Sequence, residues 1–160
     1  ADHRLCGAQK GRNRMTVIAW DGKTLAADRL MLSGDTRQYT TKIQRHGGHL
    51  LGTPGTLTVG QEMAHWWKDG AEPSKYPASN RNPNEGASLI VVHPGGRVFK
   101  YESSPFAFEV DATQCAFGSG DAVALAVMAL GYTAFQAVQS ANLFVSTCGG
   151  AVDSLELAAE

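Results

Sequence analysis

This chain lacks the sequence features of membrane proteins and of nucleotide-binding enzymes. No apolar run approaches the roughly 20 residues that a membrane-spanning helix needs, and no signal-peptide pattern opens the sequence. There is also no P-loop and no glycine-rich dinucleotide fingerprint. We therefore expect a protein that does not insert into a membrane and that binds no nucleotide itself.

Cysteine and histidine are scarce and do not show the spacing of metal ligands. The three Cys are an odd number, and Cys115 lies in an apolar, strand-like run where a buried, inert thiol is expected. His46 and His49, two of the five His, form a pair across a loop, a setting more typical of solvated side chains than of ligands. The sequence therefore predicts no metal and no cofactor, and a reducing cytoplasm is the expected compartment.

Charge is distributed unevenly between a short arm and the body. Residues 1–14 carry four basic side chains against one acidic one, a net charge of +3, so the rest carries −4 of the chain's net −1. A basic arm suits nucleic acid or an acidic partner surface, and the alternative is upstream sequence that does not belong to the natural protein. The arm has no recognisable motif and the body is acidic, which argues against nucleic-acid binding.

The remaining sequence predicts one domain of mixed structure. Hydrophobic residues make up 43% and charged residues 18%, which is typical of a globular chain, and we expect a basic or propeptide-like arm at 1–15 and a single domain at 16–160. Glu72–Gly86 is rich in Pro, Asn and Ser and is predicted as a long loop. Helical spacing and Gly breaks predict helices at Thr58–Asp69, Asp121–Leu130 and Thr133–Leu143. Apolar runs and turn signals predict strands at Val17–Trp20, Thr24–Ala27, His49–Leu51, Ser88–His93, Arg97–Tyr101, Thr113–Gly118, Phe144–Thr147 and Leu155–Leu157.

Thr16 carries the strongest chemical signal, because it leads directly into the first strand. If the bond before it is cut, its α-amine lies beside its own hydroxyl. A free α-amine has a pKa near 7.7–8.0 and can take the hydroxyl proton, which is a known way to activate a Thr nucleophile. The same residue inside an intact chain has an amide nitrogen, which is not a base.

Several motifs in order resemble the proteasome β-subunit family, and most closely its bacterial HslV-type branch. The resemblance spans about Met15 to Leu157 and rests on Thr16 with its strand, followed by Ala26-Ala27-Asp28-Arg29, Thr40-Thr41-Lys42-Ile43-Gln44-Arg45, Gly52-Thr53-Pro54-Gly55-Thr56, Ala116-Phe117-Gly118-Ser119-Gly120 and Cys148–Leu157. Pattern alone reaches only an α+β single domain. The resemblance implies the four-layer αββα sandwich of N-terminal nucleophile (Ntn) hydrolases, with two stacked antiparallel sheets and helices outside.

The resemblance also implies a role for each site residue. Thr16 would be nucleophile and base, Lys42 a fixed cation near its hydroxyl, and Asp28 the partner that keeps Lys42 charged. Ser119 would bond the Thr16 amine, and the Gly55 N–H would bind the oxyanion. Taken alone, Lys42 is a solvated strand residue, Asp28 a neighbour contact of Arg29, and Ser119 a helix N-cap or weak anion site.

One stretch departs from the core proteasome pattern. Those subunits carry Asp-x-x-Ser-Gly-Gly near the end, whereas Val145-Ser146-Thr147-Cys148-Gly149-Gly150 lacks both the Asp and the Ser. HslV-type enzymes diverge here as well. The resemblance further implies hexameric or heptameric rings of identical subunits, with the Ala-rich helices and the Trp66-Trp67 pair as contact surfaces, although packing is the commoner role of such Trp residues. Unfolded polypeptide would come from a separate AAA+ ATPase ring, so ATP would enter only through that partner.

Activity depends on how Thr16 becomes a terminus, and three alternatives stay open. The chain is an unprocessed precursor, or Met15 is the natural start and is removed ahead of the small Thr, or the fold serves as a catalytically inactive ring or shell component. Met15-Thr16 favours the second alternative, since self-cleaving proteasome precursors carry Gly-Thr. We expect the substrate walls to come from the loop after Lys42 and from Gly52–Gly55, with a preference for apolar residues that Arg45 and His46 would modify.

Overall fold

The computed structural model describes residues 15–82 and 85–159. The predicted basic arm therefore lies outside the described residues, apart from Met15, as do two positions of the predicted long loop. The described part of that loop contains two short 3-10 helices, Pro73–Lys75 and Ala78–Arg81.

Two antiparallel sheets and one separate hairpin make up the β-structure of the described residues. The strands are β1 (Val17–Trp20), β2 (Thr24–Ala27), β3 (Leu30–Ser33), β4 (Thr36–Tyr39), β5 (Ile43–His46), β6 (His49–Gly52), β7 (Leu89–Val92), β8 (Val98–Tyr101), β9 (Phe108–Val110), β10 (Cys115–Gly118) and β11 (Asp153–Glu156). The first sheet has the order β10-β1-β2-β11, the second has the order β5-β6-β7-β8-β9, and β3 pairs only with β4.

Within residues 15–82 and 85–159, three helices cover the outer faces of the two sheets. They are α1 (Leu57–Lys68), α2 (Asp121–Ala129) and α3 (Ala134–Phe144). Helices α2 and α3 bury Ala124, Met128 and Val138 against the first sheet, while α1 buries Val59 and Met63 against the second. The predicted four-layer αββα sandwich is confirmed.

The alternation of side chains along the central strands explains the layers. In β1, Ile18 and Trp20 point into the core between the sheets, and Val17 and Ala19 point into the core under α2 and α3. In β7, Ile90 and Val92 enter the same inter-sheet core, while Leu89 and Val91 pack under α1. Because successive side chains alternate across a strand, a strand that is apolar throughout must be covered on both faces.

Some predicted elements are wrong, and others were missed. Phe144–Thr147 is not a strand, because α3 continues to Phe144 and the Val145 N–H still donates to the carbonyl of Ala141. The final strand begins at Asp153, two residues before the predicted Leu155. The β3–β4 hairpin, β5 and β9 were not assigned as strands from the pattern. Trp66 is buried against Tyr76 and Tyr101, so its expected role as a subunit contact is wrong and its packing role is confirmed.

Candidate active site

Thr16 lies immediately before β1 at one end of the sandwich and is buried. Its nitrogen donates to the Ser119 Oγ at 3.3 Å, and its carbonyl oxygen accepts from the Gly120 N–H at 3.2 Å and from the Ser119 hydroxyl at 3.2 Å. The Thr16 hydroxyl makes no hydrogen bond with any described residue. Two of the predicted site residues, Thr16 and Ser119, are therefore in direct contact.

The close approach of β10 to Thr16 depends on a glycine. Gly118 has φ +98°, and a Cβ at this position would lie 2.2 Å from the Thr16 carbonyl oxygen. That distance is far inside van der Waals contact, and positive φ is unfavourable for other residues. The Gly-Ser-Gly turn therefore lets the β10–α2 connection come close enough for Ser119 to reach Thr16.

Asp28 and Lys42 form a buried ion pair beside Thr16. The Lys42 Nζ lies 2.8 Å from the Asp28 Oδ1, and the two side chains are 5% and 0% exposed. Asp28 also accepts hydrogen bonds from the Val17 N–H and the Gly149 N–H, each at 3.1 Å. Burial lowers the pKa of Lys42, and the Asp28 carboxylate opposes that shift. The expected pairing of Asp28 with Lys42 is present, whereas Arg29 instead bonds Asp153.

Lys42 is also aimed at the peptide bond in front of Thr16. Its Nζ donates to the Met15 carbonyl oxygen at 2.9 Å. The backbone of Lys42 is fixed from the other side, because the Thr53 N–H donates to the Lys42 carbonyl oxygen at 3.1 Å. The ends of β2 and β6 thus hold a cation at the start of β1, and the alternative of a solvated Lys42 does not apply, since the residue is buried.

Gly55 adopts a conformation that only glycine tolerates. Its φ is +114°, and a Cβ there would lie 2.7 Å from the Ala87 Cα. Gly55 pairs with Ala87 in an isolated antiparallel bridge whose two hydrogen bonds join Thr56 to Gly86 and Ser88 to Pro54. In such a pair the central N–H points away from the opposite segment. The Gly55 N–H is therefore not used by the ladder.

A cavity of about 290 Å³ opens beside Thr16. Its lining consists mainly of apolar and Thr side chains from the β3 strand and the Thr53–Thr58 segment, namely Met15, Thr16, Leu30, Met31, Leu32, Thr40, Lys42, Thr53, Gly55, Thr56, Leu57 and Thr58. The expected wall after Lys42 is wrong, because Arg45 donates to the Glu156 carbonyl and His46 contacts Trp67. The β3 strand supplies that wall instead.

Two contributors to the site have no counterpart in the sequence-based prediction. The Thr147 Oγ1 lies 2.7 Å from the Ser119 Oγ, and the Cys148 Sγ lies 3.6 Å from the same atom. Burial raises the pKa of Cys148, although its hydrogen bond to Ser119 opposes the shift. The only sequence signal for this contact was the departure of residues 145–148 from the proteasome pattern.

Residues considered for other chemistry lie apart from Thr16. His49 stacks edge-on against Trp67 and His93, and no group of three His, Cys, Asp or Glu suited to a metal ion occurs among residues 15–82 and 85–159. Burial raises the pKa of Cys115 to about 12, which fits the expected inert thiol. None of the described helices is both long enough and apolar enough to cross a membrane.

Comparison with known proteins identifies solved structures that share this fold. No protein-family model and no curated protein matches the sequence. BPH from Thiobacillus denitrificans in complex with epoxomicin is similar over 90% of this chain and 100% of its own, with a TM-score of 0.68 and 20% identity. A second BPH structure gives a TM-score of 0.66 at 21% identity over 91% of this chain and 100% of its own.

A third similar structure is eukaryotic HslV from Trypanosoma brucei. Its TM-score is 0.61 at 18% identity, and the match covers 88% of this chain and 97% of that one. At such identities the likeness establishes the fold. The resemblance read from the sequence motifs is therefore confirmed at the level of the fold, the four-layer αββα sandwich.

Proposed function

We propose that this chain is a threonine-type endopeptidase subunit of a self-compartmentalising, HslV-like ring protease. One observation carries the proposal: the groups that such a mechanism needs already flank the Met15–Thr16 peptide bond. The Lys42 Nζ lies 2.9 Å from the Met15 carbonyl oxygen, and the Ser119 Oγ lies 3.3 Å from the Thr16 nitrogen. Removal of Met15 turns that nitrogen into an α-amine with a pKa near 7.7–8.0.

The reaction follows from these positions. The α-amine takes the proton of the Thr16 hydroxyl as the hydroxyl oxygen attacks a substrate carbonyl, and the amine then gives the proton to the departing peptide nitrogen. Lys42, which loses the Met15 carbonyl as its acceptor, stabilises the developing negative charge, while Asp28 keeps Lys42 protonated. The Gly55 N–H donates a hydrogen bond to the oxyanion of the tetrahedral intermediate. Such a donor stabilises the transition state by about 2.7–4 kcal/mol. Water then hydrolyses the acyl-enzyme by the same route.

The substrate is an unfolded polypeptide cleaved after apolar residues. Leu30, Met31 and Leu57 line the cavity next to Thr16, and Lys42 is the only charged residue in its lining among the described residues. Met15 also lines this cavity, so its removal both frees the amine and enlarges the substrate space. A peptide library whose cleaved bonds follow mostly acidic or basic residues would contradict this specificity.

Assembly into homo-oligomeric rings, hexameric or heptameric, belongs to the same proposal. In the part of the chain that the structure describes, six large apolar side chains of α2, α3 and their connection are exposed between 38% and 80%, namely Leu125, Leu130, Tyr132, Phe135, Leu143 and Phe144. An apolar patch of this kind marks an interaction site on a soluble chain. Analytical ultracentrifugation is expected to give a stable oligomer that Leu143→Asp weakens. A stable monomer at micromolar concentration would remove the ring and most of the case for proteolysis.

The partners follow from the protease proposal. A separate AAA+ unfoldase ring delivers substrate, and ATP acts only through that ring, since we assign no cofactor to this chain. We place the complex in the cytoplasm, consistent with Cys115 and Cys148 as buried free thiols. Co-sedimentation with an ATPase ring in the presence and absence of ATP tests the partner.

A catalytically inactive ring or shell subunit is the second candidate. Two observations favour it: the Thr16 nitrogen is an amide that donates to Ser119, and residues 145–148 lack the Asp and Ser of the proteasome pattern. In that case Asp28, Lys42 and Ser119 would only hold the start of β1 in place. The two candidates differ in whether a chain that begins at Thr16 reacts.

The deciding experiment compares the full chain with a chain translated from Met15, whose processing to Thr16 is checked by mass spectrometry. The processed chain is expected to hydrolyse fluorogenic peptides with an apolar residue before the cleaved bond. It is also expected to be modified by epoxomicin, the compound bound to the similar BPH. Thr16→Ser should keep part of the activity, because hydroxyl and amine survive, and Thr16→Ala should abolish it. Lys23→Ala, at an exposed pair with Glu156, is the control and should change nothing.

The full chain should neither hydrolyse the peptides nor be modified by epoxomicin, because an amide nitrogen cannot accept the proton of the Thr16 hydroxyl. A processed chain that assembles but neither cleaves peptides nor takes up epoxomicin would reject the catalytic proposal in favour of the structural one. Activity of the full chain with Met15 still attached would reject the amine as base.

A further inference from the structure

The Ser119 hydroxyl has four polar neighbours, which is more than the number of hydrogen bonds that one hydroxyl can form. Its Oγ lies 3.3 Å from the Thr16 nitrogen, 3.2 Å from the Thr16 carbonyl oxygen, 2.7 Å from the Thr147 Oγ1 and 3.6 Å from the Cys148 Sγ. A hydroxyl has one hydrogen to donate and two lone pairs to accept with. Once the Ser119 hydrogen is given to the Thr16 carbonyl, these limits leave Ser119 only as an acceptor toward its other neighbours.

The assignment leaves one role for Thr147. The Thr16 carbonyl oxygen accepts from the Ser119 hydroxyl as well as from the Gly120 N–H, and the Thr16 N–H occupies one Ser119 lone pair. With the Ser119 hydrogen on the Thr16 carbonyl, the second Ser119 lone pair accepts from the Thr147 hydroxyl, which is the direction we adopt for a contact in which either oxygen can donate. At 2.7 Å this is the shortest of the four contacts and has the usual length of an O–H···O hydrogen bond. The contact with the Cys148 thiol, at 3.6 Å, is the longest of the four.

We propose that Thr147 is a positioning residue whose hydroxyl holds the Ser119 hydroxyl in the orientation that accepts a hydrogen bond from the Thr16 nitrogen. The inference rests on the proposed function. In the processed chain, Ser119 must accept from an amine N–H, because the amine lone pair has to receive the proton of the Thr16 hydroxyl. A Ser119 hydroxyl free to rotate can instead donate to that lone pair and block the base.

The sequence around Thr147 supports a hydrogen bond from Thr147 to Ser119 in place of one from the Asp or Ser of the proteasome pattern. Val145 stands where the proteasome pattern has Asp and cannot form a hydrogen bond with its side chain, and Cys148 stands where the pattern has Ser and offers only a weak donor. Thr147 occupies neither position. The turn after α3, closed by a hydrogen bond of 3.0 Å from the Cys148 N–H to the Val145 carbonyl, presents the Thr147 hydroxyl to Ser119 instead.

The test uses the processed chain that begins at Thr16. This chain retains every residue of the three apolar cores, which lie between the sheets, under α2 and α3, and under α1. Thr147→Val keeps the shape and removes the hydroxyl, Thr147→Ser restores a hydroxyl, and Ser146→Ala removes an exposed neighbouring hydroxyl as the control. The pKa of the Thr16 α-amine is measured by NMR with ¹⁵N-labelled Thr. The charged and titratable groups facing the amine, Asp28, Lys42 and Cys148, are the same in all variants.

Thr147→Val is expected to lower the amine pKa by about half a unit to one unit, the size of one neutral hydrogen bond. The shift is downward because a Ser119 acceptor stabilises the ammonium form and a Ser119 donor stabilises the neutral amine. The acid limb of the kcat profile should move to lower pH, and kcat should fall with KM unchanged. Thr147→Ser and Ser146→Ala should match the parent chain.

An unchanged amine pKa in Thr147→Val would overturn the assignment, and so would an equal shift in Thr147→Ser, which would point to packing. A processed parent chain without peptidase activity would reject the proposed function alone. The amine pKa of the Thr147 variants would still decide the positioning role, because its measurement needs no turnover.

Discussion

Replacing Asp28 by Asn perturbs the centre of the site with almost no change in size. Asp28 is fully buried and accepts three hydrogen bonds, from the Lys42 Nζ at 2.8 Å and from the Val17 and Gly149 N–H groups at 3.1 Å each. In Asn, the Nδ2 group that replaces one carboxylate oxygen is a donor. It therefore opposes a backbone N–H instead of accepting from it, and Lys42 loses its counter-charge.

The expected loss of unfolding free energy in Asp28→Asn follows from the burial of the Asp28–Lys42 pair. Removing one partner of a buried ion pair costs about 3–5 kcal/mol, because an uncompensated charge stays inside. Typical domains are stable by about 5–15 kcal/mol, so this is a large share of the total. For a chain of this size, each kcal/mol lowers the Tm by about 2–4 °C, which gives a fall of about 6–20 °C.

Urea and thermal unfolding followed by the fluorescence of the buried Trp20 measure this effect. All variants are compared at one protein concentration, because oligomerisation changes apparent stability. Glu109→Gln is the control: it breaks the Arg97–Glu109 pair, whose side chains are 67% and 41% exposed, and should cost less than about 1 kcal/mol. The double variant with Asp28→Asn and Lys42→Met, which removes both charges, should recover part of the loss. If Asp28→Asn is no more destabilising than Glu109→Gln, the buried pair does not hold the site together.

Two further predictions concern the backbone and pH. In the processed chain that begins at Thr16, Gly118→Ala should displace Thr16, abolish modification by epoxomicin and cost about 1–3 kcal/mol, because a Cβ would lie 2.2 Å from the Thr16 carbonyl oxygen. Gly34→Ala, also at positive φ but in open space, should leave modification intact, and equal loss in both variants would contradict the steric argument. The pKa of His93 is lowered by burial and by the nearby His49 and Arg97, so its folded form binds the proton less readily than the unfolded chain. Its contribution to stability is therefore present above the unfolded pKa of about 6.5 and lost as pH falls below it. The difference in urea midpoint between pH 7.5 and pH 5 should shrink in His93→Asn, and an unchanged difference would reject this assignment.

Strong local patterns made much of the fold predictable. The strands β1 and β7 are apolar throughout, which requires cover on both faces, and the Asp21-Gly22 and Pro94-Gly95-Gly96 turns mark their hairpins. All three helices were placed within a residue or two of their observed bounds.

Elements without a clear pattern were missed. Every residue of β4 is exposed, and β9 is largely exposed, so neither shows the alternation that marks a half-buried strand. The opposite error affected residues 144–147, which were predicted as a strand directly after a helix ending at Leu143. Leu143 and Phe144 are instead exposed on the last turn of α3, so this apolar pair lies on a surface and not in a buried sheet.

The sequence by itself, through its resemblance to a known family, pointed to the candidate nucleophile, its glycine turns and the Asp28–Lys42 pair, because each belongs to a short motif whose order along the chain carries the information. Only the tertiary structure decided that Thr147 contacts Ser119, that the Gly149 N–H bonds Asp28, and that β3 walls the cavity. Asp28 and Gly149 lie 121 residues apart. Nothing in the local pattern of either residue specifies the other, since such contacts form only when the two sheets and the turn after α3 come together.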